Sequence, residues 1–239
     1  MNINEKKHFA VITGASSGIG GVTAKLLAKN GIIVIMGGRS KSNLQKIEGE
    51  IKSDGGTAIS FYLDFNVDDS IKSFLENVNK IGSITTLINN AGFGKFDKID
   101  NASISDWDEM MNVNLRGAFM LSKAFIPEMK KQKYGNLLFI NSVAGRYGYP
   151  FSAAYVATKY GMRGLADSLR NELRQDGIRV SSIYPGAVDS NFWDDIGVDF
   201  PRNEMMNPLQ IAETILFTIN QVGNGVLEDI VIRRTKGDF

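Results

Sequence analysis

The chain has 239 residues, of which 43% are hydrophobic and 22% charged, the balance of an ordinary globular protein rather than a disordered or fibrous one. Its 27 basic and 26 acidic residues leave a formal charge of +1, so we expect neither nucleic acid nor a membrane surface as a partner. Cysteine is absent and His8 is the single histidine, which excludes thiol chemistry and argues against a multi-histidine metal site or a histidine-dependent hydrolase.

In chain order, short apolar runs alternate with longer segments of helical periodicity. The patterns predict a strand over 9–12, a helix over 17–30, a strand over 32–36, a helix over 41–53, a strand over 57–62, a helix over 68–80, a strand over 86–88, helices over 103–113 and 117–132, a strand over 136–140, a helix over 153–176, a strand over 179–183, a helix over 208–221 and a strand over 227–232. Because strands alternate with helices, the sheet should be parallel, and its nearly continuous apolar strands should be covered on both faces. We therefore predict one α/β domain over residues 1–239, with a central parallel sheet of about seven strands flanked by helices.

The longest irregular stretch in this pattern covers about residues 187–207. It holds Phe192, Trp193 and Phe200 among acidic residues and glycine. Loops of this length inside a compact domain usually have a function. We therefore predict a substrate lid here; the alternative is a surface loop whose apolar side chains pack back on the domain.

No segment reads as a membrane span or a signal peptide. The longest apolar runs fall well short of the roughly 18 residues that a membrane-spanning helix needs. The N-terminal residues lead into only four apolar residues before Thr13, too few for a secretion signal. We therefore expect a cytoplasmic protein.

A glycine-rich turn lies between the first predicted strand and the first predicted helix. It reads Thr13-Gly14-Ala15-Ser16-Ser17-Gly18-Ile19-Gly20. Glycines let the main chain approach a ligand closely, and the start of a helix offers free N–H groups and a partial positive charge to a phosphate. We interpret the turn as a nucleotide-binding site; the alternative is a plain tight turn.

The end of the second strand indicates which dinucleotide would bind. Arg39 and Ser40 follow this strand, and no acidic residue stands beside them. An acid at this place bonds the ribose 2′-hydroxyl of NAD, whereas an arginine accommodates the 2′-phosphate of NADP. Arg39, together with the hydroxyls of Ser16, Ser17 and Ser40, therefore favours NADP(H); the alternative is a solvated loop arginine.

Tyr155 and Lys159 stand four residues apart in the longest predicted helix, so they share one of its faces. With one histidine near the N-terminus, acid–base chemistry near neutral pH must use Asp, Glu, Lys or Tyr. An ammonium group beside a phenol lowers the pKa of the tyrosine, which can then give a proton to a carbonyl oxygen and take it back. We interpret the pair as catalytic; the alternative is a surface pair without function.

Two further polar residues accompany this pair. Ser142 directly follows the fifth strand, at the edge of the sheet where such folds bind ligands, and its hydroxyl can bond a substrate oxygen. Asn114 ends a predicted helical run and could hold a water molecule near the lysine. The alternatives are a serine that bonds its own backbone and an asparagine that caps a helix.

These motifs together resemble the short-chain dehydrogenase/reductase family, in its single-domain branch, over nearly the whole chain. The matching residues beyond the turn are Asp64 after the third strand, Asn89-Asn90-Ala91-Gly92 after the fourth, Asn114, Ser142, Tyr155 and Lys159, and Pro185-Gly186 with Val188 and Ser190 after the sixth. The resemblance implies a doubly wound Rossmann fold that binds NADP(H) and no metal. It also implies a homo-dimer or homo-tetramer packed through the helices near 117–132 and 153–176.

The resemblance further implies a role for each site residue. The cofactor would contact the glycine-rich turn, Arg39, Ser40, the segment at Asp64 and Phe65 near its adenine, residues 90–92, and residues 185–190 near its nicotinamide amide. Tyr155 would be the acid and base, Lys159 would lower the pKa of Tyr155 and bind the ribose, Ser142 would orient the carbonyl, and Asn114 would support a proton relay through water. The implied reaction is reversible reduction of a carbonyl to an alcohol by hydride transfer from the nicotinamide.

Departures from the family concern the substrate. The C-terminal segment from Val226 differs from that of bacterial 3-oxoacyl-carrier-protein reductases and is more similar to sepiapterin reductase-like and general carbonyl reductases. The residues near the motifs that predict a pocket for a flat or aromatic carbonyl compound are Phe93, Arg146, Tyr147, Tyr149, Phe151, Phe192 and Trp193. The alternative is that most of them belong to the core or to an interface. The pair Gly37-Gly38 and the pair Phe65-Asn66 are unusual for the family.

Several functions therefore stay open at this point. The leading one is an NADP-dependent carbonyl reductase, with a sepiapterin reductase-like or a 3-oxoacyl-carrier-protein reductase as its nearest variants. A non-catalytic NADP-binding regulator is the alternative from another class, against which the complete catalytic set argues. A nucleotide-sugar epimerase or dehydratase would need a larger substrate domain than the residues after Lys159 provide.

Overall fold

The computed structural model describes residues 8–194, 196 and 200–237. Its strands are β1 (Phe9–Thr13), β2 (Ile33–Gly38), β3 (Ala58–Tyr62), β4 (Thr86–Asn89), β5 (Gly135–Ile140), β6 (Ile178–Pro185) and β7 (Asp229–Ile232). They form one sheet in the order β3-β2-β1-β4-β5-β6-β7, and every neighbouring pair is parallel. The predicted parallel sheet of about seven strands is confirmed.

Within the described residues, seven α-helices connect these strands. They are α1 (Gly18–Lys29), α2 (Lys41–Ser53), α3 (Asp68–Asn79), α4 (Ile104–Met110), α5 (Gly117–Gln132), α6 (Ala153–Leu173) and α7 (Pro208–Ile219). No helix in the described part of the chain is both long and apolar enough to cross a membrane.

The sheet buries apolar side chains on both of its faces, because successive residues of a strand point to opposite sides. Ile12 of β1 belongs to the core that the sheet forms with α1, α2 and α7. Its neighbour Val11 belongs to the core on the opposite face, formed with α3, α5 and α6. The fold is therefore doubly wound, as predicted.

One predicted helix boundary is wrong. The sequence pattern ends a helix near Asn114 and begins another at 117, but α4 and α5 are joined by a π-helical turn over Met111–Arg116. No glycine or proline interrupts residues 104–116, so nothing breaks the main chain there. Such turns are rare and occur frequently at functional sites. Asn114 therefore lies inside a helical segment and does not cap one.

The order of the strands places a binding site above β1 and β4. The chain winds outward from β1 to β3, then returns so that β4 pairs with the other side of β1. The connections on the two sides diverge at this point, which leaves a crevice beyond the carboxyl ends of the strands. The glycine-rich turn follows β1, and residues 90–92 follow β4, so both enter that crevice.

Candidate active site

A cleft of about 1290 Å³ lies over the carboxyl ends of the strands. The predicted site residues that line it are Gly14, Ser16, Ser17, Gly18, Ile19, Arg39, Ser40, Asp64, Phe65, Asn90, Ala91, Gly92, Ser142, Tyr155, Lys159, Pro185, Gly186, Val188 and Ser190. Among the predicted catalytic and cofactor-binding residues, Gly20 and Asn114 are the two that do not line the cleft. The structure therefore brings nearly all of the predicted site into one cleft.

The glycine-rich turn is fixed by hydrogen bonds to the segment after β4. Nδ2 of Asn90 donates to the main-chain oxygen of Thr13 at 2.8 Å and to that of Gly14 at 3.3 Å. Oγ1 of Thr13 accepts the N–H groups of Asn90 at 3.0 Å and of Ala91 at 2.9 Å. Two motifs that are far apart in the sequence thus form one rigid unit.

Gly20 lies behind the wall of the cleft and is required by space. A Cβ atom there would stand 2.5 Å from the main-chain oxygen of Gly14 and 2.6 Å from Nδ2 of Asn90. Gly14 and Gly18 have φ angles of +65° and +53°, a region that residues with side chains enter at a cost. The turn therefore depends on glycine at several positions, and Gly20 acts through packing.

Arg39 and Ser40 stand at the outer end of the cleft. The side chain of Arg39 is 58% exposed, and its Nη1 lies 3.3 Å from Oε1 of Glu109. Ser40 caps α2 by accepting the N–H of Asn43 at 3.4 Å. The guanidinium is therefore lightly held and remains available to a phosphate group.

The unusual glycine pair at the end of β2 now has a physical reason. A Cβ on Gly37 would come within 2.8 Å of Leu63 and 2.9 Å of the ring of Phe74. A Cβ on Gly38 would come within 3.4 Å of Oγ of Ser16. Gly37 makes room for a core aromatic ring, and Gly38 keeps β2 close to the phosphate-binding turn.

Asp64 and Phe65 form the wall beside Arg39. Oδ1 of Asp64 accepts the N–H of Asn66 at 3.0 Å, and the N–H of Asp64 donates to Oγ of Ser70 at 2.9 Å. Phe65 is buried against Gly117, where a Cβ would stand 2.6 Å from its ring. The unusual Phe65 thus anchors the segment to α5 while it lines the cleft.

Tyr155 and Lys159 meet on the buried face of α6. Nζ of Lys159 lies 5.7 Å from the centre of the Tyr155 ring and donates to the main-chain oxygen of Ile140 at 3.1 Å. Burial lowers the pKa of Lys159 to about 8. Burial raises the pKa of Tyr155 to about 12, against a smaller lowering by a hydrogen bond with Ser142.

These shifts correct one expectation from the sequence. Lys159 was expected to lower the pKa of Tyr155, but among the groups of the chain itself the burial of Tyr155 dominates. A phenol with a pKa of about 12 holds its proton at neutral pH. Tyr155 therefore keeps its proton among the groups of the chain itself.

Ser142 bonds its own backbone, one of the two roles considered for it, and its bond to a substrate oxygen stays a prediction. Its Oγ accepts the N–H of Ala144 at 3.1 Å and so caps the 3₁₀ turn over Val143–Gly145. The same side chain forms a hydrogen bond with Tyr155. The backbone bond therefore fixes the hydroxyl beside the tyrosine.

Asn114 is completely buried. Its Oδ1 accepts the N–H of Phe93 at 3.0 Å, and its Nδ2 donates to the main-chain oxygen of Phe93 at 2.9 Å and to Oγ1 of Thr158 at 3.1 Å. A Cβ on Gly92 would stand 3.2 Å from Oδ1 of Asn114 and 3.6 Å from Nζ of Lys159. Asn114 therefore ties the loop after β4 to α6, and the relay through water stays a prediction.

The segment after β6 closes the cleft from the side of the phosphate-binding turn. The N–H of Gly186 donates to the main-chain oxygen of Ile232 at 2.8 Å, and Val188 forms a β-bridge with Met206. A Cβ on Gly18 would stand 3.1 Å from Cβ of Ser190. Residues 185–190 are thus held between β7 and the start of α1.

Aromatic rings surround Tyr155 on the remaining side of the cleft. Ring centres of Phe96 and Phe192 lie 5.6 and 5.5 Å from that of Tyr155. Trp193 lies 5.3 Å from Phe192, and Phe200 lies 4.7 Å from Trp193. This part of the cleft is apolar and suited to flat groups.

The predicted pocket residues are divided by the structure. Those that line the cleft are Phe93, Tyr149, Phe151, Phe192 and Trp193. Arg146 does not, because it pairs with Asp229 at 3.3 Å and lies 5.2 Å from the ring centre of Tyr184. Tyr147 does not either, because it points to Arg233, which lies 4.7 Å from its ring centre. The prediction is wrong for these two residues.

Among the cleft residues that the sequence does not single out are Phe96 and Asn141. Phe96 lies in a loop, where no periodicity shows which side chains face the cleft. Asn141 precedes Ser142 and lines the cleft. Its position directly before Ser142 in the sequence is the signal that could have identified it.

The base of the predicted lid is held by Arg202. Its Nε donates to Oδ1 of Asp189 at 2.6 Å, its Nη1 to Oδ1 of Asp194 at 2.9 Å and its Nη2 to the main-chain oxygen of Ser190 at 2.8 Å. Residues 195 and 197–199 of the predicted lid lie outside the described residues. The role of residues 187–207 as a substrate lid stays a prediction.

Comparisons with known proteins agree with this geometry. The family model described as short chain dehydrogenase matches residues 8–199. Sepiapterin reductase from Chlorobaculum tepidum is 31% identical over 241 residues, covering 98% of both chains. A 3-oxoacyl-(acyl-carrier-protein) reductase from Thermotoga maritima is 32% identical over 230 residues, covering 92% of this chain and 94% of its own. The crystal structure of a metagenomic short-chain oxidoreductase in complex with NADP is 33% identical, with a TM-score of 0.84 over 95% of this chain and 97% of its own.

Proposed function

We propose that this chain, which belongs to the short-chain dehydrogenase family, is an NADP(H)-dependent oxidoreductase that interconverts a carbonyl compound and its alcohol. The observation that carries the proposal is that Ser142, Tyr155 and Lys159 line the same cleft as a glycine-rich turn at a helix start. A proton donor and a dinucleotide site therefore share one space.

The cleft fits an NADP(H) molecule by shape and charge. Gly14 and Gly18 line the cleft without side chains, and the free N–H groups of α1 suit a diphosphate. The segments that would hold the cofactor are the turn, Arg39 with Ser40, Asp64 with Phe65, residues 90–92, Lys159 and residues 185–190. When bound, the nicotinamide supplies the hydride for the carbonyl carbon.

The chain's own residues would supply the proton and the geometry. Tyr155 holds a proton at neutral pH because burial raises its pKa to about 12, and it would donate that proton to the carbonyl oxygen. Ser142 would give a second hydrogen bond to the same oxygen, which fixes its position. Lys159 would bring positive charge near Tyr155 and so support the phenolate that remains.

Arg39 supports NADP(H) over NAD(H). It stands beside Ser40 at the outer end of the cleft, and its exposed guanidinium can pair with a 2′-phosphate in two parallel hydrogen bonds. The related oxidoreductase that was crystallised with NADP adds independent support. We expect turnover with NADPH to exceed that with NADH.

The aromatic wall supports flat, apolar carbonyl compounds as substrates. Phe96 and Phe192 flank Tyr155, so a planar group would stack near the proton donor. A sepiapterin reductase-like activity agrees with this wall, and a 3-oxoacyl-carrier-protein reductase activity is the second candidate. The identities of 31% and 32% to the two named relatives do not separate them.

The remaining parts of the proposal concern the whole protein. We propose one domain with a lid over residues 187–207, a homo-dimer or homo-tetramer packed through α5 and α6, and a cytoplasmic location. Light scattering would test the oligomer, since a monomer mass at micromolar concentration would contradict it.

The experiment that tests the proposal measures oxidation of NADPH and NADH side by side. The substrates are diketones, aromatic ketones, sepiapterin and an acetoacetyl thioester, and the variant is Tyr155→Phe. We expect NADPH-dependent turnover that falls about 1000-fold in the variant, while its NADPH Kd stays within about threefold because the lost hydroxyl serves the substrate. Full activity in the variant would contradict the mechanism. Tight NADPH binding without any turnover would favour a non-catalytic NADP-binding regulator.

A further inference from the structure

The side chain of Asn141 joins Ser142 to Lys159. Its Oδ1 accepts the N–H of Ser142 at 2.9 Å, and its Nδ2 donates to the main-chain oxygen of Lys159 at 3.2 Å. Asn141 is only 4% exposed. Both ends of the amide are therefore used within the protein, and each end reaches a residue of the proposed catalytic set.

Lys159 is held at two points by the end of β5. Its main-chain oxygen accepts from Asn141, and its Nζ donates to the main-chain oxygen of Ile140 at 3.1 Å. Ser142 is the next residue along the chain. The position of Ser142 relative to α6, and so to Tyr155, therefore depends on the contacts of two consecutive residues.

Gly145 leaves room for this connection. A Cβ on Gly145 would collide with Oδ1 of Asn141 and would stand 3.0 Å from the main-chain oxygen of Lys159. Gly145 is not among the glycines with positive φ, so an alanine would meet no backbone strain there. The absence of a side chain at Gly145 thus serves the contact between Asn141 and Lys159.

We propose that Asn141 is a positioning residue that holds the Ser142 hydroxyl at its working distance from Tyr155. The inference rests on the proposed function, because it concerns the same reaction. Asparagine suits the task, since one short planar side chain offers an acceptor to Ser142 and a donor to Lys159. Aspartate would keep the acceptor and lose the donor, and serine would be too short to span both.

The test compares kcat and KM in Asn141→Ser, Asn141→Asp and Gly145→Ala. We expect kcat to fall by about 10- to 100-fold in Asn141→Ser and Gly145→Ala, because small displacements of reacting groups have effects of this size. Asn141→Asp should fall less than Asn141→Ser, since it keeps the bond to Ser142. The KM for NADPH should change less than about threefold, because the phosphate-binding turn is untouched.

Two controls separate positioning from general loss of stability. Asn136 stands at the other end of β5, is equally buried, and donates to Oγ1 of Thr86 at 3.4 Å and to Tyr134 at 3.3 Å. Asn136→Ser should lower the melting temperature and leave kcat unchanged. Gly49→Ala in α2, where no atom lies within 4 Å of the added Cβ and which lies outside the proposed subunit contact, should leave kcat unchanged as the control for Gly145→Ala.

A double-mutant cycle gives the decisive readout. If Asn141 acts through the Ser142 hydroxyl, Asn141→Ser should change kcat by less than about threefold in a Ser142→Ala background. An equal fall in both backgrounds, or an unchanged kcat in Asn141→Ser, would overturn the inference while the proposed function stands. Absence of wild-type turnover on the whole panel would overturn the proposed function, and the inference with it.

Discussion

The two ends of the cleft are lined by different kinds of groups. At the phosphate-binding end, glycines and main-chain groups lie in contact, and hydrogen bonds of 2.8–3.3 Å from Asn90 and Ala91 to Thr13 and Gly14 fix them. At the other end, aromatic rings from separate loops pack at centre distances of 4.7–6.1 Å. The first end has almost no freedom to adjust, whereas the second consists of side chains that can turn.

This difference predicts where substitutions should have large effects on ligand binding. A ligand group that is the same in every cycle, such as a diphosphate, can be recognised by rigid main-chain geometry. A substrate that differs between related enzymes is better recognised by side chains, because single substitutions can alter them one at a time. We therefore expect large losses from small changes at the glycine end and moderate changes of selectivity at the aromatic end.

The largest effect is expected for Gly20→Ala. The added methyl group would stand 2.5 Å from the Gly14 oxygen and 2.6 Å from Nδ2 of Asn90, so the hydrogen-bonded contact between the turn and Asn90 must shift. We expect the NADPH Kd to rise on the order of 100-fold, about 2.7 kcal/mol. The free energy of unfolding should fall by about 1–3 kcal/mol, as for other overpacked sites. Fluorescence titration with NADPH and urea unfolding measure the two quantities.

The control for Gly20→Ala is Gly49→Ala in α2. No atom lies within 4 Å of a Cβ at Gly49, and alanine is a better helix former than glycine by about 0.5–1 kcal/mol. NADPH affinity should stay at the wild-type value and stability should rise slightly. If both substitutions weakened NADPH binding equally, the rigidity assigned to the glycine end would be refuted.

The next largest effect is expected in the pH dependence of kcat, which depends on Lys159 and Tyr155 between the two ends of the cleft. Burial lowers the Lys159 pKa to about 8 and raises the Tyr155 pKa to about 12. Below pH 8 the lysine keeps its charge and the tyrosine its proton, which is the state that carbonyl reduction needs. Above pH 8 the lysine loses its charge while the tyrosine keeps its proton. We expect kcat for reduction to be flat below about pH 8 and to fall by up to about tenfold per pH unit above it.

Lys159→Arg tests the assignment of this pH limit. A guanidinium keeps its charge throughout the accessible range, so whatever activity the variant retains should show no fall near pH 8. Steady-state rates at saturating NADPH and substrate give the profile. An unchanged fall in the variant would assign the limit to another group.

The sequence predicted the glycine end well because its motifs are local. The turn, Arg39, and the spacing of Tyr155 and Lys159 each follow from residues close in the chain, and the strand order then brings them together. Sequence patterns do not explain Gly37 at the end of β2, because the reason for it is the ring of Phe74, which lies 37 residues away in the chain. Contacts across such distances leave no periodic signal.

The aromatic end was predicted only in part for the same reason. Arg146 and Tyr147 follow Ser142 closely, yet β6 and β7 draw them away to Tyr184, Asp229 and Arg233. Phe96 was missed, although it packs on Tyr155. Asn114 was expected at a helix end, and the π-helical turn instead buries its amide against Phe93. Loop conformations decide where Arg146, Tyr147 and Phe96 lie, and the π-helical turn decides where Asn114 lies. No short sequence pattern encodes either feature.

The smallest effect is expected from a substitution of Phe151, which lies at the aromatic end of the cleft. Its φ angle of +63° places a residue with a large side chain in the left-handed region, at a cost of about 1–2 kcal/mol. Its ring is 58% exposed, so burial offsets little of that cost, and yet the ring lines the cleft. We therefore predict that the ring contacts the substrate, because stability gives no reason for a large side chain at this position.

Phe151→Asn should therefore separate stability from selectivity, since asparagine tolerates the left-handed region. We expect a melting temperature at or slightly above wild type, a KM for an aromatic ketone raised by about threefold to tenfold, and an unchanged KM for a small aliphatic ketone. Lys133 is the matched control, because it is the other residue besides glycine that has positive φ in the described ranges, and it ends α5. Lys133→Asn should leave both KM values unchanged. If Phe151→Asn lowered the melting temperature and altered neither KM, the ring would be a packing residue, and the aromatic end would owe its selectivity to Phe96 and Phe192 instead.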